Sequence, residues 1–253
     1  MKISILTLFP EMFAGPFDHS ILKHAKAKGL VEIEYINIRD FGIGPHKMVD
    51  DTSYGGGVGM VMRVDVLHSA IEATKHTFQT RHSGEERSSD SRISPKTDSG
   101  QARMTKVVLL SASGKTFTQK KAREFAKLDH LILICGHYEG VDDRIKNYID
   151  EEISIGDFVL TGGEIPAMLI TDAVTRLITG VLPEGATEEE SFSEFETQTL
   201  LEYPHYTKPQ EYEGHTVPEI LLSGNHKKIA EWRRRKAVEK TKQVKPHLIK
   251  STS

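Results

Sequence analysis

The sequence predicts an α/β fold with a mostly parallel sheet and helices on both faces. Short runs of β-prone residues alternate with helical patterns over the first 181 residues, and two of the runs end in glycine-bearing corners. Strands are expected at Ile3–Phe9, Val31–Ile38, Val107–Ser111, Leu131–Gly136 and Ile153–Leu160. Helices are expected at Ser20–Lys28, Val64–His76, Thr118–Leu128 and Ile165–Ile178.

The ends of these elements carry recognisable boundary residues. The N-terminal segment is short and runs into Pro10, which favours a first strand over a signal peptide. The last helix has Glu164 and Pro166 in its first turn, where a negative charge and a proline are tolerated, and Gly180 is placed to end it. The pattern therefore predicts a helix that starts directly after a glycine pair.

The segment Ser154–Glu164, SIGDFVLTGGE, is the most informative part of the chain. Its apolar start predicts a buried strand, and Gly162-Gly163 follow where the strand would lead into the helix. A second corner of this kind, Cys135–Gly140 (CGHYEG), follows the apolar run Leu131–Ile134. Open α/β sheets bind ligands at the carboxyl ends of their strands, so the two corners predict one shared pocket.

The rest of the chain departs from this alternation. Residues 79–104 are rich in Ser, Arg, Asp and Gly, which predicts a disordered or mobile insertion. From Glu184 to Glu219 ten glutamates face the single Lys208, whereas residues 224–253 carry ten Lys or Arg against two glutamates. We therefore expect a first domain at 1–181, a flexible acidic linker at 182–189, and a small helical domain at 190–253, whose basic helix is either a solvated face or a phosphate-binding surface.

Several classes of protein are disfavoured by the sequence. No apolar run approaches the roughly 18 residues that a membrane helix needs. The single Cys135 excludes an internal disulfide, fits a cytoplasmic location and is expected to pack inertly. Tyr54–Met60 is glycine-rich but lacks the Lys-Ser/Thr ending of a nucleotide-phosphate loop, and no histidine or cysteine spacing predicts a metal site.

Six motifs appear together in a fixed order. They are Tyr54–Met60 (YGGGVGM) followed by Arg63, Leu109–Ser111, Cys135–Gly140, Ser154–Glu164, Pro204–Pro209 (PHYTKP) and Leu222–His226 (LSGNH). With this set the chain resembles the bacterial tRNA (guanine-N1)-methyltransferase family of the SPOUT class. The resemblance covers residues 1–78 and 105 to about 248, and residues 79–104 are longer than the family's loop at that place.

The resemblance implies a fold and partners that periodicity alone does not predict. It implies a deep trefoil knot in the C-terminal part of the sheet domain, although knots are rare. It also implies an obligate homodimer, S-adenosyl-L-methionine bent into the knot, and the anticodon arm of tRNA as substrate. The methyl acceptor would be N1 of the guanine immediately 3′ of the anticodon, at tRNA position 37.

The resemblance also assigns residues to the cofactor. Glu139 is expected to point into the pocket, near the methyl donor or a bound magnesium ion. The residues expected to hold the cofactor are Leu109, Leu110, Ser111, Gly136, Tyr138, Ile155, Gly156, Asp157, Phe158, Val159, Leu160, Gly162 and Gly163.

Two further residues are expected to carry the chemistry. Arg176 matches the family's catalytic arginine, whose guanidinium suits the negative charge that develops on O6. The family's base is commonly an Asp before Ser-Phe, whereas Glu190 precedes Ser191 here, with Glu189 as an alternative. In the basic tail, Asn225, His226, Arg233 and Arg234 are the expected RNA contacts.

Other functions stay open at the level of sequence. A SPOUT methyltransferase acting on ribosomal RNA or a ribose hydroxyl would keep the knot without the acidic base and the SGNH segment. A non-catalytic RNA-binding relative would not need Arg176 or an acid before Ser191. A nucleotide-binding metabolic enzyme is disfavoured by the missing phosphate loop.

Overall fold

The computed structural model describes residues 1–83, 104–195 and 198–249. The chain divides into two compact units, Met1–Leu182 and Pro183–Ser253. The strands are β1 Lys2–Thr7, β2 Glu32–Asn37, β3 Asp50–Thr52, β4 Met60–Met62, β5 Thr105–Thr116, β6 His130–Cys135, β7 Glu151–Ser154, β8 Ser193–Phe195, β9 Gln198–Leu200, β10 Glu211–Tyr212 and β11 His215–Thr216. The helices are α1 Ser20–Ala27, α2 Val64–Ser83, α3 Gln119–Phe125, α4 Glu164–Thr175, α5 Glu219–Leu222 and α6 His226–Val244, and a short 3-10 helix spans Asp143–Asn147.

The first unit is built on a five-stranded sheet in the order β2-β1-β6-β5-β7, and all its strand pairs are parallel. Side chains alternate between the faces, as the pleat requires. Leu131 and Leu133 pack with α1, α3 and α4 on one face, whereas Ile132 and Ile134 pack with α2 on the other. The prediction of a parallel α/β sheet with helices on both faces is confirmed.

Strand β5 pairs with β7 in an unusual way. Ile153 of β7 is the register partner of both Leu110 and Lys115, so residues 111–114 of β5 leave the pairing and return to the same place. Gly114 lies against β7 so closely that a Cβ there would sit 2.5 Å from the Ile153 nitrogen. We call residues 111–114 the β5 excursion.

Several predicted boundaries are wrong: β5 continues to Thr116 rather than ending at Ser111, and α4 ends at Thr175 rather than at Ile178. The expected strand Ile153–Leu160 ends at Ser154, because Gly156 takes a φ of +149° and the chain turns away from the sheet. The expected insertion at 79–104 starts later, since α2 continues to Ser83. Phe78 is buried against the ring of His130, 4.3 Å between centroids, and this apolar contact extends the helix beyond His76. Residues 84–103 lie outside the described part of the chain.

The second unit combines helices with two antiparallel hairpins, β8–β9 and β10–β11, which the sequence did not predict. Its long helix α6 buries Trp232, Ala237 and Thr241. The Thr241 hydroxyl accepts a hydrogen bond from the backbone nitrogen of Leu201 at 2.9 Å, which ties α6 to the segment after β9. Across the described ranges of both units, no helix is long and apolar enough to cross a membrane.

Candidate ligand-binding site

A cavity of about 370 Å³ opens at the carboxyl ends of β5, β6 and β7. This volume falls in the range of about 300 to 1,000 Å³ that is typical of small-molecule sites, and the position is the usual one in open α/β sheets. Its walls come from the end of β5, the first corner, the 3-10 helix and the loop into α4. The lining residues are Leu109–Ser113, Gly136–Val141, Asp143, Ile145, Lys146, Glu152–Gly156, Phe158–Gly163 and Pro166.

The two glycine corners lie side by side in this cavity. His137 pairs with Gly162 in an isolated antiparallel bridge, and the Gly163 nitrogen donates to the Gly136 oxygen at 2.9 Å. A Cβ on Gly163 would lie 2.6 Å from the Cys135 Cα, so only glycine permits this approach. The prediction that both corners form one pocket is confirmed.

The loop after β7 gives the cavity an apolar side. Phe158, Val159 and Leu160 are exposed rather than buried in the sheet, with 87% of Val159 accessible to solvent. Gly156 brings the Phe158 ring back along the loop, since a Cβ there would meet the ring at 2.6 Å. Exposed apolar groups beside a cavity are typical of a surface that receives an apolar part of a ligand.

Most of the residues expected to hold a cofactor line this cavity. Asp157 is exposed and is not part of the lining. The sequence missed lining residues that non-local pairing brings in: Ala112 and Ser113 from the β5 excursion, Glu152 from β7, and Asp143 and Lys146 from the 3-10 helix. For Asp143 and Lys146, the available signal in the sequence was the polar run that follows the first corner.

Glu139 lines the cavity beside the glycine-rich segment Tyr54–Met60. The Glu139 nitrogen donates to the Met60 oxygen at 3.1 Å, and the Met62 nitrogen donates to the Gly140 oxygen at 2.9 Å. A Cβ on Gly59, where φ is +91°, would collide with the Glu139 Cγ. The glycine-rich segment therefore supports the first corner and gives room to the Glu139 side chain.

Carboxylates predominate among the charged groups of the lining. Glu139, Asp143 and Glu152 face the cavity together with the ammonium of Lys146. Lys146 is paired with Asp143, whose hydrogen bond and charge raise the pKa of the lysine. The wall thus favours a ligand with positive charge.

A buried carboxylate supports the wall from behind. Glu164 is 2% exposed, and the Thr7 hydroxyl donates to its Oε1 at 2.8 Å, which links the start of α4 to the end of β1. Burial, and secondarily the charge of Glu164, raises the pKa of the Cys135 thiol well above its usual range. Cys135 is therefore a neutral packing residue at neutral pH.

The expected catalytic residues Arg176 and Glu190 lie elsewhere. Arg176 caps the far end of α4 and is not part of the lining. It lies ten residues beyond Pro166, the lining residue on α4, which corresponds to about 15 Å along a helix axis. Glu190 belongs to the second unit, where its side chain is half-buried while that of Glu189 is exposed.

The expected RNA contacts lie on or next to α6. Asn225 caps this helix, since its side-chain oxygen accepts from the Lys228 nitrogen at 3.1 Å, and His226 is the first helical residue. The Arg233 guanidinium lies over the Tyr203 ring, 4.8 Å from its centroid, and Arg234 follows on the exposed side. The N-terminal half of α6 and Tyr203 beside it present cations and an aromatic ring together, as nucleic-acid-binding surfaces do.

The acidic residues of the described ranges do not form a metal-binding cluster. In the described ranges 1–83, 104–195 and 198–249, no group of three or more His, Cys, Asp or Glu side chains could hold a metal ion.

The fold and the cavity define an α/β protein with a candidate small-ligand site at the carboxyl edge of a parallel sheet. The comparison with known families is more specific. Residues 1–251 match the family described as tRNA (Guanine-1)-methyltransferase TrmD. The chain belongs to this family, which is of the SPOUT class.

Curated relatives agree with this membership. The chain is 51% identical over 254 residues to a tRNA (guanine-N(1)-)-methyltransferase of Dictyoglomus turgidum, covering 100% of this chain and 91% of the relative. It is 52% identical over 243 residues to the protein of that name from Carboxydothermus hydrogenoformans, with 95% and 84% covered. A third, from Desulforamulus reducens, is 47% identical over 252 residues, with 99% and 89% covered.

Proposed function

We propose that this chain transfers the methyl group of S-adenosyl-L-methionine to N1 of the guanine immediately 3′ of the anticodon, at tRNA position 37. One observation carries the proposal: a glycine-walled cavity at the carboxyl edge of the sheet, in a chain that matches the tRNA (Guanine-1)-methyltransferase family from residue 1 to residue 251. The reaction belongs in the cytoplasm, where tRNA is processed.

The cavity has the properties that this cofactor requires. Gly136, Gly162 and Gly163 line the cavity with backbone and let its two corners meet closely, and Phe158–Leu160 offer an apolar surface for the adenine. The carboxylates of Glu139 and Glu152 suit a ligand with a sulfonium and an ammonium group. When bound, S-adenosyl-L-methionine supplies the electrophilic methyl group.

The chain must remove the N1 proton and stabilise charge on O6. Glu190 is proposed as the base, because it precedes Ser191 as the family pattern requires and its carboxylate is half-buried, unlike that of Glu189. Arg176 is proposed to donate to O6, since its guanidinium stays protonated at neutral pH. Glu139 is proposed to lie near the sulfonium, and a magnesium ion there would take its other ligands from the substrates and water.

A homodimer would account for the place of Arg176. Because this residue lies about 15 Å along α4 from the lining residue Pro166, we propose that it acts in the cavity of a second copy of the chain. Ile165 and Leu169 lie one turn apart on α4 and are exposed, 51% and 44%, which leaves an apolar stripe for that partner.

The family membership also supports a trefoil knot in the first unit. We further propose that residues 1–181 form the cofactor domain, 182–189 a flexible acidic linker and 190–253 the tRNA-binding domain.

Methyl incorporation tests the function directly. Incubated with tritiated S-adenosylmethionine, the protein is expected to label a tRNA with guanine at position 37. The matched control is the same tRNA with adenine at that position, which is expected to stay unlabelled. Equal labelling of both tRNAs, or labelling only of ribosomal RNA, would overturn the proposed substrate.

The basic surface of α6 leads to a further prediction. Replacing Arg233 and Arg234 together with Gln is expected to weaken tRNA binding and to lower the slope of log Kd against log salt by about 2, as two lost phosphate contacts would do. The cofactor affinity should not change. Filter binding from low to moderate salt measures the slope. An unaltered slope would show that these arginines do not contact phosphates.

A further inference from the structure

The polar side of the cavity is a connected network between the β5 excursion and β7. The Ser113 hydroxyl donates to Glu152 Oε1 at 2.7 Å, and the Ser111 and Ser113 hydroxyl oxygens are 2.9 Å apart. Each hydroxyl has one proton, so Ser111 donates to Ser113 while Ser113 donates to Glu152. The Ser113 nitrogen also donates to the Ser111 hydroxyl oxygen at 3.2 Å. The network holds the Glu152 carboxylate against the β5 excursion, and Ser111, Ser113 and Glu152 all line the cavity.

The ammonium of Lys146 lies near the carboxylate of Glu152 in this part of the lining. The charge of Glu152 contributes to the raised pKa of Lys146, which places the two side chains in electrostatic range. Lys146 has three N–H donors, and Asp143 engages it as an ion-pair partner. An acceptor carboxylate beside a lysine ammonium is the complement of an α-amino acid, which presents an ammonium and a carboxylate on one carbon.

Besides Asp143, which pairs with Lys146, the cavity has two lining carboxylates, and they lie on different walls. Glu139 lies beside the glycine-rich segment, whereas Glu152 lies beside the β5 excursion. S-adenosyl-L-methionine likewise has two cationic groups, the sulfonium and the ammonium. With Glu139 proposed to lie near the sulfonium, Glu152 is left to face the ammonium.

We propose that Glu152, held by Ser113 and neighbouring Lys146, is the subsite for the amino-acid end of the cofactor. This inference rests on the proposed function. Glu152 accepts from the α-ammonium and Lys146 attracts the α-carboxylate. Glu152 thereby determines specificity for ligands that retain the amino-acid end, whether or not they carry the sulfonium.

Binding of three ligands to the full chain tests the subsite. S-adenosylmethionine has both cations, S-adenosylhomocysteine has only the ammonium, and 5′-methylthioadenosine has neither. In Glu152→Gln, calorimetry is expected to give a Kd about tenfold higher for the first two ligands and unchanged for the third, as loss of a charged hydrogen bond would produce. In Ser113→Ala, the same two ligands should weaken by about threefold.

Glu151→Gln is the matched control. Glu151 is on the same strand, pairs with Lys106 and Lys121 and is not part of the lining, so the three affinities should not change. Thermal unfolding identifies any variant that fails to fold, in which case Ser113→Ala decides.

Each other outcome has a distinct meaning. Equal weakening of all three ligands by Glu152→Gln would make Glu152 a residue that only shapes the cavity. Weakening of S-adenosylmethionine alone would place it at the sulfonium, and unchanged affinities would remove it from the site. If none of the three ligands binds the unaltered chain, the proposed function fails rather than the subsite.

Discussion

Glu190→Gln is expected to lower kcat for methyl transfer by about a hundredfold or more, the usual size of a general-base contribution. The amide cannot take the N1 proton, yet its size and polarity keep the local packing. Ser191 and Phe192 hold this segment through hydrogen bonds with the Glu202 nitrogen at 3.1 Å and the Leu200 oxygen at 2.7 Å, and neither bond involves the Glu190 side chain. Single-turnover methylation measures the step.

The neighbouring acid provides the control for this variant. Glu189 is exposed, so Glu189→Gln should turn over at the rate of the unaltered enzyme. Both variants should bind S-adenosylmethionine equally well, since the cavity lining contains neither residue. Near-normal turnover in Glu190→Gln together with loss in Glu189→Gln would transfer the role of base to Glu189.

Gly163→Ala is expected to lower the free energy of unfolding by about 3 kcal/mol, as overpacking of a closed contact does. The added Cβ would lie 2.6 Å from the Cys135 Cα and 2.9 Å from the Gly136 nitrogen, and these backbone atoms cannot rotate away. The two corners would have to separate, and the Gly163–Gly136 hydrogen bond that joins them would lengthen. Affinity for S-adenosylmethionine should therefore fall as well.

Gly29→Ala is a suitable comparison because it makes the same chemical change away from the cavity. Gly29 has a φ of +67°, and a methyl group added there would meet no atom within 4 Å, so only backbone strain of about 1 kcal/mol is expected. Urea unfolding and calorimetry measure both variants. Equal unfolding free energies and equal affinities in the two variants would contradict the close contact of the corners.

The sequence predicted those parts of the fold that depend on local pattern. Alternating apolar runs identified each strand of the main sheet, and the glycine pairs at 162–163 and in the first corner identified the pocket. The sequence wrongly predicted that the strand continues through Phe158–Leu160. Apolar, β-prone side chains give the same local pattern in a buried strand and in an exposed loop.

The features that the sequence did not predict depend on contacts between distant residues. The return of β5 to Ile153 brings Ser113 to Glu152, 39 residues further on, and no local pattern encodes that approach. The burial of Phe78 against His130 extends α2 in the same way. Arg176 lies far from the cavity because α4 starts at the cavity and Arg176 is at its other end. The helix length could be read from the sequence, but the direction of α4 could not.

The β5 excursion has a consequence for how cavities of this design can diversify. Both ends of the excursion are registered on the same residue, Ile153, so its length is independent of the register of the sheet. Lengthening or shortening the excursion would change the depth of the pocket while every strand keeps its neighbours. We therefore expect related proteins with different ligands to differ in the length of this loop while the sheet stays the same.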